Sequence, residues 1–125
     1  QRKIFEEACR DLDEADLVAL RARLNKDGTL YQMLEIMKTD RDAKKRTDAV
    51  YFLAQVDLKR YAPDIALVLQ DPANTVRIAA IEALGQHEDP GIQKAIEALD
   101  RDPVDAVRRA VQRRRLRSVP PRKEA

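Results

Sequence analysis

The stretch Asp71-Pro-Ala-Asn-Thr-Val-Arg-Ile-Ala-Ala-Ile-Glu-Ala-Leu-Gly85 decides the fold. Asp71-Pro72 reads as a turn, and Asn74 as the cap of a following helix. Val76, Ala79, Ala80, Ala83 and Leu84 then recur at helical spacing on one face. Gly85 can stop that helix, because glycine tolerates the left-handed conformation at a helix end. The pattern restarts 31 residues later: Asp102-Pro103 follows Asp71-Pro72, Val107-Arg108 follows Val76-Arg77, and Ala110 follows Ala79. It also runs backwards by the same step, to Asp40, Arg46, Ala49 and Leu53. One offset that aligns small, large and charged positions together marks an internal repeat.

Each unit predicts a second helix. Asp89-Pro90 supplies an N-cap and a proline at the first helical position. Ile92, Ala95, Ile96 and Leu99 form its apolar stripe, over Ile65 and Val68 one unit earlier and Leu34 and Met37 before that. Pro63 is given the same starting role in the preceding unit. The expected helices span residues 2–12, 14–25, 30–38, 43–54, 59–70, 75–86, 90–100 and 105–117, with Gly28 at the shorter first turn. Domain organisation follows: a repeat domain over 1–117, made of a capping helix (1–12), hairpins 14–38, 43–70 and 75–100, and a basic helix 105–117, then a disordered tail 118–125. One hairpin buries one apolar face and leaves the other; stacked copies bury both.

The string over residues 71–85 resembles the HEAT-repeat family, and its short period resembles the bacterial branch named after phycobilin lyases. The resemblance is best over residues 40–117 and weaker over 1–39. It implies an all-α, right-handed α-α superhelix of three to four hairpins, with second helices lining a concave face. It says little about function, since HEAT arrays act as protein scaffolds, nucleic-acid binders and, on occasion, enzymes.

Composition agrees with this class. Of 125 residues, 44% are hydrophobic and 37% charged, with three glycines, which suits amphipathic helices with solvated outer faces. The longest apolar runs fall short of a membrane span. Cys9 stands alone, so no internal disulfide forms; a reduced cytosolic setting and a disulfide-free secreted one both fit, the cytoplasm slightly favoured, and no cofactor is expected.

Three Asp/Arg pairs share a spacing of six: Asp40/Arg46, Asp71/Arg77 and Asp102/Arg108. They could form a row of arginines for an anionic partner. A hydrogen-bonded ladder between neighbouring repeats is the preferred reading, because a planar guanidinium bonds two acceptors at once. The resemblance points the same way. His87-Glu88 is a weak metal candidate, because a single histidine leaves too few ligands. Cys9 reads as a buried structural thiol. No phosphate-binding glycine loop or Ser/His/Asp set occurs, so no catalytic residue is expected.

Two surfaces are candidates for binding. Residues 1–102 hold 16 Lys/Arg against 20 Asp/Glu, whereas 103–125 hold 8 against 2. Arg109, Arg113, Arg114, Arg115 and Arg117 are therefore read as an anion-binding helix for nucleic acid, acidic protein or anionic lipid. A solubilising cap is the plainer alternative. The second surface is the concave face, where Tyr31, Gln32, Glu35, Ala62, Pro63, Ala66, Lys94 and Glu97 would meet a protein or peptide, with Leu69 in its apolar middle row. The leading expectation is a non-catalytic protein-interaction module. Electrostatic binding through the arginine helix comes second, and a lyase-type enzyme third.

Overall fold

The computed structural model describes residues 12–118. Six α-helices run in order: α1 (Glu14–Lys26), α2 (Thr29–Thr39), α3 (Ala43–Leu67), α4 (Asn74–Leu84), α5 (Pro90–Glu97) and α6 (Asp105–Ser118). Short 3-10 turns, Val68–Gln70 and Ala98–Arg101, continue α3 and α5. No strand occurs among the described residues. Residues 2–11 of the capping helix expected over 2–12, Cys9 among them, and the tail beyond Ser118 lie outside the described residues.

The stack follows the repeat. Helices α1 and α2 form the first hairpin, α3 the second, α4 and α5 the third, and α6 begins a fourth layer. α3 packs between α2 and α4, and α6 packs on α4 and on the 3-10 turn after α5. Equivalent positions are buried in successive layers: Ala49, Ala80 and Val111; Val50 and Ile81; Leu53 and Leu84; Val76 and Val107; Ala79 and Ala110. Alanine at 49, 79, 80 and 110 lets helix axes approach closely. Second-helix residues Leu30, Met37, Ile65, Leu69, Ile92 and Ile96 complete the core. The result is an α-solenoid of helical hairpins.

Local chemistry sets the ends. Asp13, Asp42 and Asp89 cap α1, α3 and α5 by accepting Asp16 N–H (2.8 Å), Lys44 N–H (2.9 Å) and Ile92 N–H (3.0 Å). Gly28 and Gly85 take positive φ (82° and 44°) where the first and third units turn.

Three expectations need correction. Residues 43–54 and 59–70 are not separated by a loop: helix runs through the turn, broken at Asp57 alone (φ −159°, ψ 73°). Ala54 stands where Gly85 stands one unit later, so no glycine stops the chain. The second half starts after Asp57, whose Oδ1 accepts Arg60 N–H (3.4 Å), and Pro63 lies inside the helix and does not begin it. Asn74 is the first residue of α4 and not its cap. That N-cap position is Ala73, whose N–H goes to Asp71 Oδ1 (2.8 Å), so Asp71 shapes the entry to the helix.

Leu84 is almost wholly buried between layers. Leu84→Ala is expected to cost about 2–5 kcal/mol, because the surrounding helices collapse only partly into the space. Urea denaturation monitored by circular dichroism measures it.

Candidate functional site

The Asp/Arg pairs form the ladder. Each aspartate first folds its own turn: Oδ1 of Asp40, Asp71 and Asp102 accepts the N–H two residues on, from Asp42 (2.8 Å), Ala73 (2.8 Å) and Val104 (2.9 Å). Each arginine then closes that turn by donating Nη1 to the aspartate's carbonyl, at 2.7 Å for Arg46, 2.8 Å for Arg77 and 2.6 Å for Arg108. The remaining donors cross to the next layer. Arg46 gives Nε and Nη2 to the two oxygens of Asp71, both at 3.0 Å. Arg77 gives Nη2 to Asp102 Oδ1 (3.1 Å), and its Nε lies 2.9 Å from Oδ2 as an ion-pair contact without a hydrogen bond's direction. The bonds to Asp71 hold the Arg46 guanidinium above its ordinary pKa. Arg108 keeps the bond to its own turn, but its carboxylate partner is Asp105 on its own helix (3.2 Å). Arg46 and Arg77 thus bond both their own turn and the next layer.

Two further arginines cap helix ends. Arg21 Nε donates to the Val56 carbonyl at the break in α3. Arg114 Nε donates to the Gly85 carbonyl (2.7 Å), where α4 leaves an acceptor without a helical donor. The side chain of Arg114 is only 10% exposed and lies 3.8 Å from Glu97. Arg115 bonds both oxygens of Glu97 (2.9 and 3.1 Å) and Asp100 Oδ2 (2.8 Å). Glu97 and then Asp100 raise the Arg115 pKa above its usual value. Of the five arginines expected to bind anions, Arg114 is thus turned inward to satisfy a carbonyl, and Arg115, partly exposed, pairs with α5 and its 3-10 turn.

Arg109, Arg113 and Arg117 remain exposed along the outer side of α6, four residues apart. Arg109 pairs with Asp105 (2.8 Å), and Arg113 lies 3.7 Å from Glu82. Leu116, 75% exposed, stands beside them. A cross-layer contact absent from the sequence reading appears here: Tyr51 Oη donates to Glu82 Oε2 (2.7 Å), and Tyr51, Glu82 and Arg113 are related by the 31-residue step. The repeat offset itself was the signal that could have found it.

The second-helix surface is rotated from expectation. Ala62 is 1% exposed and Leu69 fully buried, while Ala66 is half-buried against the core. None of the three offers an apolar row to a partner, because Tyr61, Ala62, Ile65 and Leu69 together turn inward. Pro63 faces solvent as expected, and Leu67 joins it, at 67% exposed. Tyr31, Gln32, Glu35 and Lys94 are exposed as expected, whereas Glu97 is held by Arg115. Lys38 pairs with Asp64 across α2 and α3 (3.3 Å).

His87 sits in the turn after α4, where Nδ1 accepts Asp89 N–H (3.2 Å) and its carbonyl accepts the Gln93 amide (3.0 Å). Among the described residues no group of three His, Cys, Asp or Glu is placed to hold a metal, and no helix is long and apolar enough to cross a membrane.

Arg114→Ala is expected to lower stability by about 1 kcal/mol or more, the cost of leaving a part-buried carbonyl without its donor. Arg109→Ala, on an exposed pair, is expected to change stability by less than about 1 kcal/mol. Paired thermal melts distinguish the two classes.

Searches among curated proteins and among solved structures gave no match. The family model described as HEAT repeats matches residues 30–113, which spans the ladder, both complete rungs and most of α6. With that match and this stack of hairpins, the chain belongs to the HEAT-repeat family.

Proposed function

We propose that this chain is a non-catalytic interaction module that meets a protein partner on its second-helix surface. The observation that supports the reading most is the outward strip Pro63–Leu67 on the second half of α3. It is flanked by exposed Gln32 and Glu35 on α2 and Lys94 on α5. A large exposed aliphatic side chain inside a polar rim is what a small protein interface uses as its anchor. The buried ladder holds the three second helices in fixed register, so the partner meets a prearranged surface.

A second reading, contact with an anionic partner through α6, is favoured by one specific feature. Arg109, Arg113 and Arg117 share the solvent side of that helix and make no bond to a backbone carbonyl, unlike Arg108 and Arg114.

Leu67→Asp tests the first reading. The exchange lies on the surface and is expected to leave the melting temperature nearly unchanged. A partner captured by the wild-type chain should then be lost, as read by pull-down and mass spectrometry with both proteins. Retention of every captured protein by the variant would remove the second-helix surface from the account.

A further inference from the structure

The 31-residue step orders the second-helix surface into rows. Thr39, Gln70 and Arg101 each end a second-helix segment, immediately before the ladder aspartates. Counting back three residues from them places Ile36, Leu67 and Ala98 at one matching position of α2, α3 and the turn after α5. All three are apolar. Ile36 is partly exposed, Leu67 is 67% exposed, and Ala98 is exposed. One turn earlier on each helix stand Gln32, Pro63 and Lys94, all exposed. α3 packs against both α2 and α5, so these positions are neighbours across the stack. A single apolar row therefore crosses three layers, widened at its centre by Pro63 and otherwise bordered by polar side chains. Packed helix axes lie about 8–10 Å apart, which sets the spacing along the row. The ladder fixes its register, because Arg46 and Arg77 tie each layer to the next.

We propose that this row binds an extended segment of a partner protein, which sets an aliphatic side chain at every third residue over Ile36, Leu67 and Ala98 and a carboxylate at its end over α5. The inference rests on the first reading above, that the second-helix surface is the interaction face. Spacing supports the extended form. A chain in extended or polyproline conformation advances about 3.1–3.4 Å per residue, so three residues span one layer. Width supports it too. A docked amphipathic helix buries a stripe about 100° wide or more, and this row is one residue wide over α2 and α5. An extended segment also needs partners for its backbone N–H and C=O groups. Exposed Gln32 and Gln70 supply a side-chain amide on either side of the row, each both donor and acceptor. Thr39 Oγ1 donates to the Glu35 carbonyl (2.7 Å) and keeps its lone pairs for an N–H. Charge selects the acidic end. Lys94 and Arg101 flank Ala98 and are exposed. Nearby Glu97 and Asp100 are engaged by Arg115 (2.9 and 2.8 Å), and Glu97 lies 3.8 Å from Arg114. Two carboxylates thus stand against four cations, and the α5 end is positive. The α2 end is not: it carries exposed Glu35 and the Lys38–Asp64 pair.

Fluorescence anisotropy tests this with labelled serine-rich peptides that carry three leucines and a pair of glutamates at one terminus, made with the glutamates at either end. In one set the leucines fall at every third residue, in a second at every second residue, and a third set keeps the first spacing with glutamine for glutamate. The wild-type chain is expected to bind the better-oriented peptide of the first set at least about tenfold more tightly than the second set, because only that spacing seats a leucine on every layer. Leu67→Asp should abolish this binding. Lys94→Glu with Arg101→Glu should weaken the glutamate peptide about tenfold and leave the glutamine peptide nearly unchanged. Circular-dichroism melts should show both variants folded, since all three positions are exposed. Equal binding of the two spacings, binding that survives Leu67→Asp, or a glutamate peptide indifferent to the charge reversal would overturn the proposal. Tighter binding of a helical peptide with leucines three and four residues apart would also overturn it, replacing the extended segment by a helix. If no peptide binds, the extended segment is lost, and the pull-down with Leu67→Asp decides the wider reading separately: loss of a captured partner keeps the second-helix surface, and retention removes it.

Discussion

A guanidinium shared between two layers is the constraint on which this structure depends. Arg46 and Arg77 each close the turn they follow and then reach the aspartate that shapes the next turn. The hydrophobic faces provide most of the driving force for stacking, but apolar burial is non-directional and tolerates sliding. Ala49, Ala80 and Leu84 would also pack with a neighbouring helix shifted along its axis. The Arg–Asp pair would not, because both partners are almost buried and a shift would leave charges unpaired. The pair therefore sets register more than it adds net stability.

The same geometry divides the arginines of α6. Each residue turns the helix by about 100°. Neighbours in the run Arg113-Arg114-Arg115 consequently face different surroundings: Arg113 the outer side, Arg114 the end of α4, Arg115 the carboxylates of Glu97 and Asp100. A charge run that looks uniform as sequence is three separate devices in the fold. Arg113 and Arg117, with Arg109 a turn earlier, are the members that keep to the solvent side. Buried bonds and solvent face thus come from one repeat, altered at single positions.

Much of this was legible in the sequence because a repeat states each rule several times. The 31-residue offset located the hairpins, and the six-residue Asp/Arg spacing located the ladder. What was not legible depends on detail within a turn or a side chain. Whether residues 54–59 form a loop or a one-residue break follows from Ala54 in place of glycine, a small local difference. On the second-helix surface Pro63 is exposed as expected, whereas Ala62 and Leu69 are buried and Leu67 is exposed in their place. A helix of mixed small and large residues has an indistinct apolar edge, and one residue moves that edge by more than a quarter-turn. The roles of Arg114 and Arg115 required knowing where the carbonyl of Gly85 and the carboxylate of Glu97 lie, which no spacing within α6 encodes.

The central claim is that the Arg–Asp fork couples adjacent layers. A double-mutant cycle on Arg77 and Asp102 tests it most directly, with unfolding free energies measured for the wild type, Arg77→Ala, Asp102→Ala and the double variant. Each single change leaves a nearly buried charge without its partner, so each should cost more than the pair's net contribution. The account predicts that the double variant is less destabilised than the sum of the singles by more than about 1 kcal/mol. Losses that add to within about 0.5 kcal/mol would show that the two side chains act independently, and would contradict it.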